Sequence, residues 1–152
     1  MKPVVKCMDD SMKTFVELTS EADLEEAFHV IKELNPSIKF RSFMDSYSHP
    51  WSMNRHLYGI RQNRELISVA DVWFLITGCN EKIFWINAFI TKNGFRSKGY
   101  GKFLNDKLFG MAIKMNCKEI RVHAHRKSAQ KYWTKERGFS EFSTIYRKEN
   151  IT

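Results

Sequence analysis

A chain of 152 residues is long enough for one domain around a single sheet and short for two. Its 43% apolar and 28% charged residues, with twelve Phe, five Tyr and four Trp, exclude a disordered chain. The formal charge of +8 suits nucleic acid, a polyphosphorylated coenzyme or a plain solvated basic surface, and does not choose among them.

No apolar run has the length of a bilayer span; the best, Val72 to Ile76, is strand-sized. Met1 to Lys6 lacks the apolar stretch of a secretory signal. Cys7, Cys79 and Cys117 are odd in number and scattered, so they give no disulfide framework. The expectation is a reduced, cytoplasmic protein with a loose arm over residues 1–13 and one domain over 14–152.

Thr14 to Thr19 reads as a first strand, short and rich in β-formers. Ser20 is placed to cap a helix, with Asp23 in a capping-box position and Leu24, Ala27, Phe28, Ile31 and Leu34 at helical spacing behind it. Asn35-Pro36 ends that helix, and a second follows over Ile38 to Tyr47 until His49-Pro50 stops it. Leu57 to Arg61, Leu66 to Thr77 and Ile83 to Thr91 are then three strands. The breaks between them, Gln62 to Glu65 and Gly78 to Lys82, are short enough for antiparallel hairpins.

A glycine-bearing loop leads into a helix over Gly101 to Met115, with Leu104, Leu108, Met111, Ala112 and Met115 as its buried stripe. Glu119 to His125 alternates, with Ile120, Val122 and Ala124 on one face and Arg121, His123 and His125 on the other. The helical crossover ahead of it favours parallel pairing with the preceding strand. A last helix runs from Ser128 to a C′ glycine at Gly138, and Phe139 to Arg147 supplies a final strand.

The chemistry is carried by Ile90 to Lys102. A strand enters a loop whose two glycines, Gly99 and Gly101, let backbone N–H groups converge on one point, and a helix starts there with unpaired donors and a positive dipole end. Arg96, Lys98 and Lys102 add charge, completing a pyrophosphate cradle. A P-loop would need Gly-x-x-x-x-Gly-Lys-Ser/Thr, which is absent, and a dinucleotide fingerprint would need a small residue where Leu104 stands.

This segment resembles the acetyl-CoA signature of the GNAT superfamily, Arg/Gln-x-x-Gly-x-Gly/Ala, met at Arg96, Gly99 and Gly101. Downstream, Ala129 to Phe139 resembles the family's Ala-x-x-Phe-Tyr-x-x-x-Gly-Phe helix, with one residue more before Gly138-Phe139. Aligned from Ala129, the aromatic pair falls on Tyr132-Trp133; aligned from Gly138, the tyrosine position falls on Thr134. The resemblance covers Leu57 to Lys148 well and the first third by element order alone.

The resemblance implies an α/β domain with a mixed, mostly antiparallel sheet of six to seven strands, about four flanking helices, and parallel fourth and fifth strands splayed around a coenzyme. It implies acetyl-CoA contacts at Phe89, Ile90, Arg96, Ser97, Lys98, Gly99, Tyr100, Gly101 and Lys102, and transfer of an acetyl group to a primary amine on a small molecule or protein. A backbone N–H around Asn87 to Phe89 would hold the oxyanion, and Tyr132 would protonate the departing thiolate, unless it is a core aromatic.

The general base is not legible. Asp71 and Asn87 lie near the expected site, Asn cannot be a base, and His123 and His125 could relay a proton or simply be structural. Their spacing, with Cys117 upstream, shows no fourth metal ligand, and no metal is expected. Two other readings stand beside the enzyme: a toxin-like member acting on aminoacyl-tRNA, and a coenzyme-binding module without catalysis. RNA binding would use the interleaved Arg41, Tyr47, His49, Trp51, Arg55 and His56 of Phe40 to Arg61. A monomer or a homodimer, with no membrane partner, completes the expectation.

Overall fold

The computed structural model describes residues 12–143 and 147–149. Its elements are β1 (Lys13–Glu17), α1 (Glu21–Lys32), α2 (Phe40–Ser48), a 3-10 turn Pro50–Ser52, β2 (Arg55–Gln62), β3 (Glu65–Ile76), β4 (Lys82–Thr91), α3 (Tyr100–Lys114), β5 (Glu119–Val122), α4 (Lys127–Lys131) and a π-helical turn Tyr132–Glu136. Two compact units divide the chain at Arg121/Val122. The expected arm over 1–13 falls almost wholly outside the described residues, although Lys13 already opens β1.

The sheet order is β1-β2-β3-β4-β5. The first three pairings are antiparallel and β4 with β5 is parallel, as the α3 crossover between them dictates. Asn63 (φ 50°) and Arg64 (φ 70°) are both left-handed, the turn geometry that matches strand twist, and they set Gln62 opposite Glu65. At the head of α1, Asp23 N–H donates to Ser20 Oγ and Ser20 N–H to Asp23 Oδ2, both at 3.1 Å. That capping box is worth about 1 kcal/mol.

Residues alternate between the two sheet faces. On one face, Leu57, Leu66, Val69 and Ile90 pack with Ala27, Phe28, Val30 and Ile31 of α1 and Phe43 of α2. The residues between them, Val72, Phe84 and Ile86, turn to the opposite face and are fully buried, as are Leu104 and Leu108 of α3. Among the described residues no helix is long and apolar enough to cross a membrane.

Three expectations change. The described sheet has five strands, not six to seven. The expected last strand has no strand in its described part, where Phe142 is 71% exposed and lacks the burial that stabilises an extended segment, and 144–146 lie outside the described residues. The strand expected over Glu119 to His125 ends at Val122, so His123 and His125 follow the sheet instead of lining it. Ile120, Val122 and Ala124 are each only half-buried, too little for alternation to extend the strand.

Candidate functional site

The loop between β4 and α3 is built from left-handed turns: Gly94 (φ 84°), Ser97 (φ 60°) and Gly99 (φ 85°). Gly99 is the N-cap of α3, and its carbonyl accepts the Phe103 N–H at 3.0 Å. The N–H groups of Tyr100, Gly101 and Lys102 therefore precede the first intrahelical bond, as a helix start requires. A Cβ on Gly101 would meet the Phe89 ring and Thr91 Oγ1 at 3.5 Å, so this turn of α3 lies directly against the end of β4.

Arg96 is anchored within the loop. Its Nε donates to the Thr91 carbonyl at 2.9 Å, and Nη2 reaches Glu33 Oε2 at 3.3 Å, the same oxygen that accepts the Asn93 N–H at 2.7 Å. Ser97, Lys98 and Gly99 are exposed. Lys98 holds its ammonium 5.6 Å from the Phe95 ring centre, and Lys102 pairs with Asp106 one helical turn on at 2.8 Å. Tyr100, in contrast, is buried, with its hydroxyl bonded to Gln62 and the Lys13 ammonium over its ring. Ile90 sends its side chain into the α1–α2 core, while Phe89 lies on the Gly101 side. What Tyr100 and Ile90 can offer a ligand is main chain.

The cradle fits a pyrophosphate: three early helix N–H groups, an αL glycine that turns the chain, and exposed cations together. The outer edge of β4 runs on past β5. Lys118 N–H donates to the Lys82 carbonyl at 2.8 Å, so β4 and β5 start level. At about 3.3 Å per residue the four residues of β5 run out well before Thr91.

A polar cluster that sequence reasoning saw only in part lies on the α1–α2 face. Asp71 is 2% exposed. Arg55 Nε reaches Asp71 Oδ1 at 3.0 Å and Oδ2 at 3.2 Å, and Nη2 reaches Oδ2 at 3.0 Å. Arg55 Nη1 donates to Ser46 Oγ at 3.0 Å, and the guanidinium lies 4.2 Å from the Tyr47 ring centre. Asn87 Nδ2 donates to Asp71 Oδ2 at 3.3 Å. Burial works against the Arg55 charge, but the bonds from Asp71 outweigh it and raise its pKa. Burial, then the Asp71 charge, raises that of Tyr47. The available signal was weak: Asp71 lay in an expected strand, but Arg55 fell two residues before the strand expected at Leu57 to Arg61, and only β2 starting at Arg55 sets it beside Asp71.

Several side chains of the surface expected for RNA are engaged within the fold. Arg55 is turned inward to Asp71, the Tyr47 hydroxyl is buried, and His56 Nδ1 pairs with Glu17 at 2.8 Å. Arg41 and His49 are exposed. A cavity of about 270 Å³ is lined by Thr19, Leu24, Tyr47, Arg55 and Leu57, among others.

Tyr132 lies in the second unit, at the start of the π-helical turn. Arg137 N–H bonds the Tyr132 carbonyl at 3.2 Å, five residues back, and Phe139 N–H bonds that of Trp133 at 3.0 Å. A π turn absorbs one extra residue in a helix. Such a turn has room for the residue that the downstream motif has in excess, and Gly138 (φ 73°) follows it in the left-handed conformation of a helix stop. The Tyr132 hydroxyl is buried, and Trp133 packs at 5.1 Å on both Tyr132 and Phe139. His123 and His125 have ring centres 4.1 Å apart; burial, then its neighbour, lowers the His123 pKa. Among the described residues no three His, Cys, Asp or Glu side chains gather as a metal site would need.

Similar proteins point the same way. A crystal structure of an aminoglycoside acetyltransferase from an uncultured soil metagenomic sample, in complex with sisomicin, superposes with a TM-score of 0.78 at 10% identity, over 94% of this chain and 99% of that one. The aminoglycoside N-acetyltransferase AAC(6')-Iy, in complex with CoA, gives 0.72 at 16% identity, over 91% and 95%. The uncharacterized N-acetyltransferase YhdJ of Bacillus subtilis (strain 168) is 23% identical over 135 residues, 87% of this chain and 95% of that protein. Residues 19–139 match the model of the Acetyltransferase (GNAT) family, and with the strand, αL turn and helix of its signature in place the chain belongs to that family.

Proposed function

We infer that this protein is an acetyl-CoA-dependent N-acetyltransferase that acts on a primary amine of a small molecule or a protein. The observation that carries the reading is the left-handed Gly99 turn delivering the N-terminus of α3 beside the end of β4. Acetyl-CoA supplies the acetyl group as a thioester. The N–H groups of Tyr100 to Lys102 and the charges of Arg96, Lys98 and Lys102 hold the pyrophosphate, with Ser97 and Gly99 shaping the turn. The main chain of Phe89 and Ile90 holds the pantetheine arm as an added strand would.

The amine nitrogen, deprotonated, forms its bond to the thioester carbon as the carbon–sulfur bond breaks. N–H groups of the Asn87 to Phe89 segment donate to the carbonyl oxygen as it gains charge. Tyr132 gives its hydroxyl proton to the leaving sulfur, and the proton shed by the attacking nitrogen passes to solvent, from which the phenol is reprotonated. The phenol is the one candidate at this point of the motif, since Trp133 and Thr134 are poor proton donors.

The test is thermal unfolding with acetyl-CoA, NAD and ATP, followed by thiol release with a panel of amines. Acetyl-CoA gives the largest rise in Tm, because a ligand that binds only the folded state stabilises it. An unchanged curve at millimolar acetyl-CoA, or a larger rise with NAD, overturns the reading.

A further inference from the structure

The cluster around Asp71 has no part in that scheme, yet it is the most deeply buried charge among the described residues. Ala88 pairs with Asp71 and Ile86 with Val72, so Asn87 is the extra residue of a bulge in β4. A bulge bends its strand and re-aims the groups on either side. Here the bulged residue is held by its side chain, through Asp71, to Arg55 on β2 and from there to Ser46 and Tyr47 on α2. One network thus ties β3, β2 and α2 to the single irregular point of β4 in its pairing with β3. Both Asp71 oxygens are turned to Arg55 and Asn87, and neither is presented to a substrate as a base would be.

We propose that Arg55 and Asp71 are positioning residues that clamp Asn87 and so fix the bulge that sets the direction of the N–H groups at Asn87 to Phe89. The clamp rests on the acetyltransferase reading for its use in transfer, but not for its existence. A charged pair suits this task. A guanidinium with two contacts to one carboxylate fixes direction as well as distance, and Ser46, which itself donates to the Phe43 carbonyl at 2.6 Å, fixes the far end of the guanidinium.

The experiment compares Asn87→Ala, Asn87→Asp and Arg55→Lys with the wild type in two measurements: amide deuterium exchange of the 84–91 segment without any ligand, and steady-state thiol release. Exchange at 86–89 is faster in all three variants. In Asn87→Ala kcat falls about tenfold or more while KM for acetyl-CoA stays within about twofold, because misplaced donors cost turnover and leave the pyrophosphate cradle untouched. Asn87→Asp, isosteric but like-charged with Asp71, is slower still. A merely solvated Asn87 would give the opposite order. Unchanged exchange, or Asn87→Asp milder than Asn87→Ala, overturns the clamp. A wild type that releases no thiol with any amine overturns the acetyltransferase reading instead, and the exchange data then decide the clamp alone.

Discussion

Glu33, at the C-terminal cap of α1, holds Arg96 of the β4–α3 loop through a contact of 3.3 Å. The same carboxylate oxygen accepts the Asn93 N–H at 2.7 Å, so a residue 63 positions upstream of Arg96 shapes the loop proposed to hold the coenzyme. Its charge is nevertheless the wrong sign for a neighbour of a pyrophosphate. Glu33→Gln keeps an acceptor for Asn93 and removes the repulsion. With the Arg96 side chain 51% exposed, the effect is limited to about 1 kcal/mol, so acetyl-CoA binding tightens by up to about fivefold. Titration calorimetry at low salt checks this; weaker binding would mean that the Glu33 charge orients Arg96 for the ligand.

The two signature glycines separate on substitution. Gly99 sits at φ 85°, where a Cβ costs about 1–2 kcal/mol, so Gly99→Ala lowers Tm and weakens acetyl-CoA binding together. Gly101 has ordinary helical space, with contacts no closer than 3.5 Å. Gly101→Ala leaves Tm unchanged or slightly raised, by up to about 1 kcal/mol of helix propensity. Its Cβ would fill the space beside Phe89 and Thr91, where the coenzyme is proposed to pass between α3 and the end of β4, so affinity still falls. Differential scanning fluorimetry with and without acetyl-CoA reads both effects, and normal affinity in Gly101→Ala would place the cradle elsewhere.

Tyr132→Phe removes one buried hydroxyl and keeps the aromatic contact with Trp133 at 5.1 Å. Turnover falls by about 10²-fold or more, the range of a general acid, while the dissociation constant of acetyl-CoA is retained. Single-turnover kinetics next to equilibrium binding separates the two. Full activity in the variant would make Tyr132 a packing residue of the second unit.

His123 titrates below its ordinary 6.5, because burial and then His125 disfavour its charged form. The sign follows by linkage: between the folded and unfolded pKa values the unfolded chain binds more protons, so stability rises with pH there. The contribution is present above about pH 6.5 and is lost as pH falls through that value toward the lower folded pKa. An NMR titration of the His123 ring gives a midpoint below 6.5, and His123→Gln flattens the acid side of the stability profile. A midpoint at or above 6.5 contradicts this.

Much of the site was legible in one dimension because its parts are contiguous. Arg96, Gly99 and Gly101 of the proposed cradle lie within six residues, and α1, β3, β4 and α3 each announce themselves by local periodicity and caps such as Ser20 and Asp23. Local sequence determines such features, since backbone dihedrals and side-chain spacing are fixed over one or two turns. The tertiary structure decided what depends on partners far along the chain. Asp71 looked like a candidate base until Arg55 and Asn87 met it across two hairpins, and Arg55 looked like surface charge until burial paired it. Glu33 carried no signal at all, because its role exists only where the end of α1 meets the loop. The extra residue before Gly138 left two alignments open, and only the structure shows a π turn there, closed by a bond from Arg137 to Tyr132. Spacing counts residues, whereas a hydrogen-bond pattern decides how many residues one helical turn takes up.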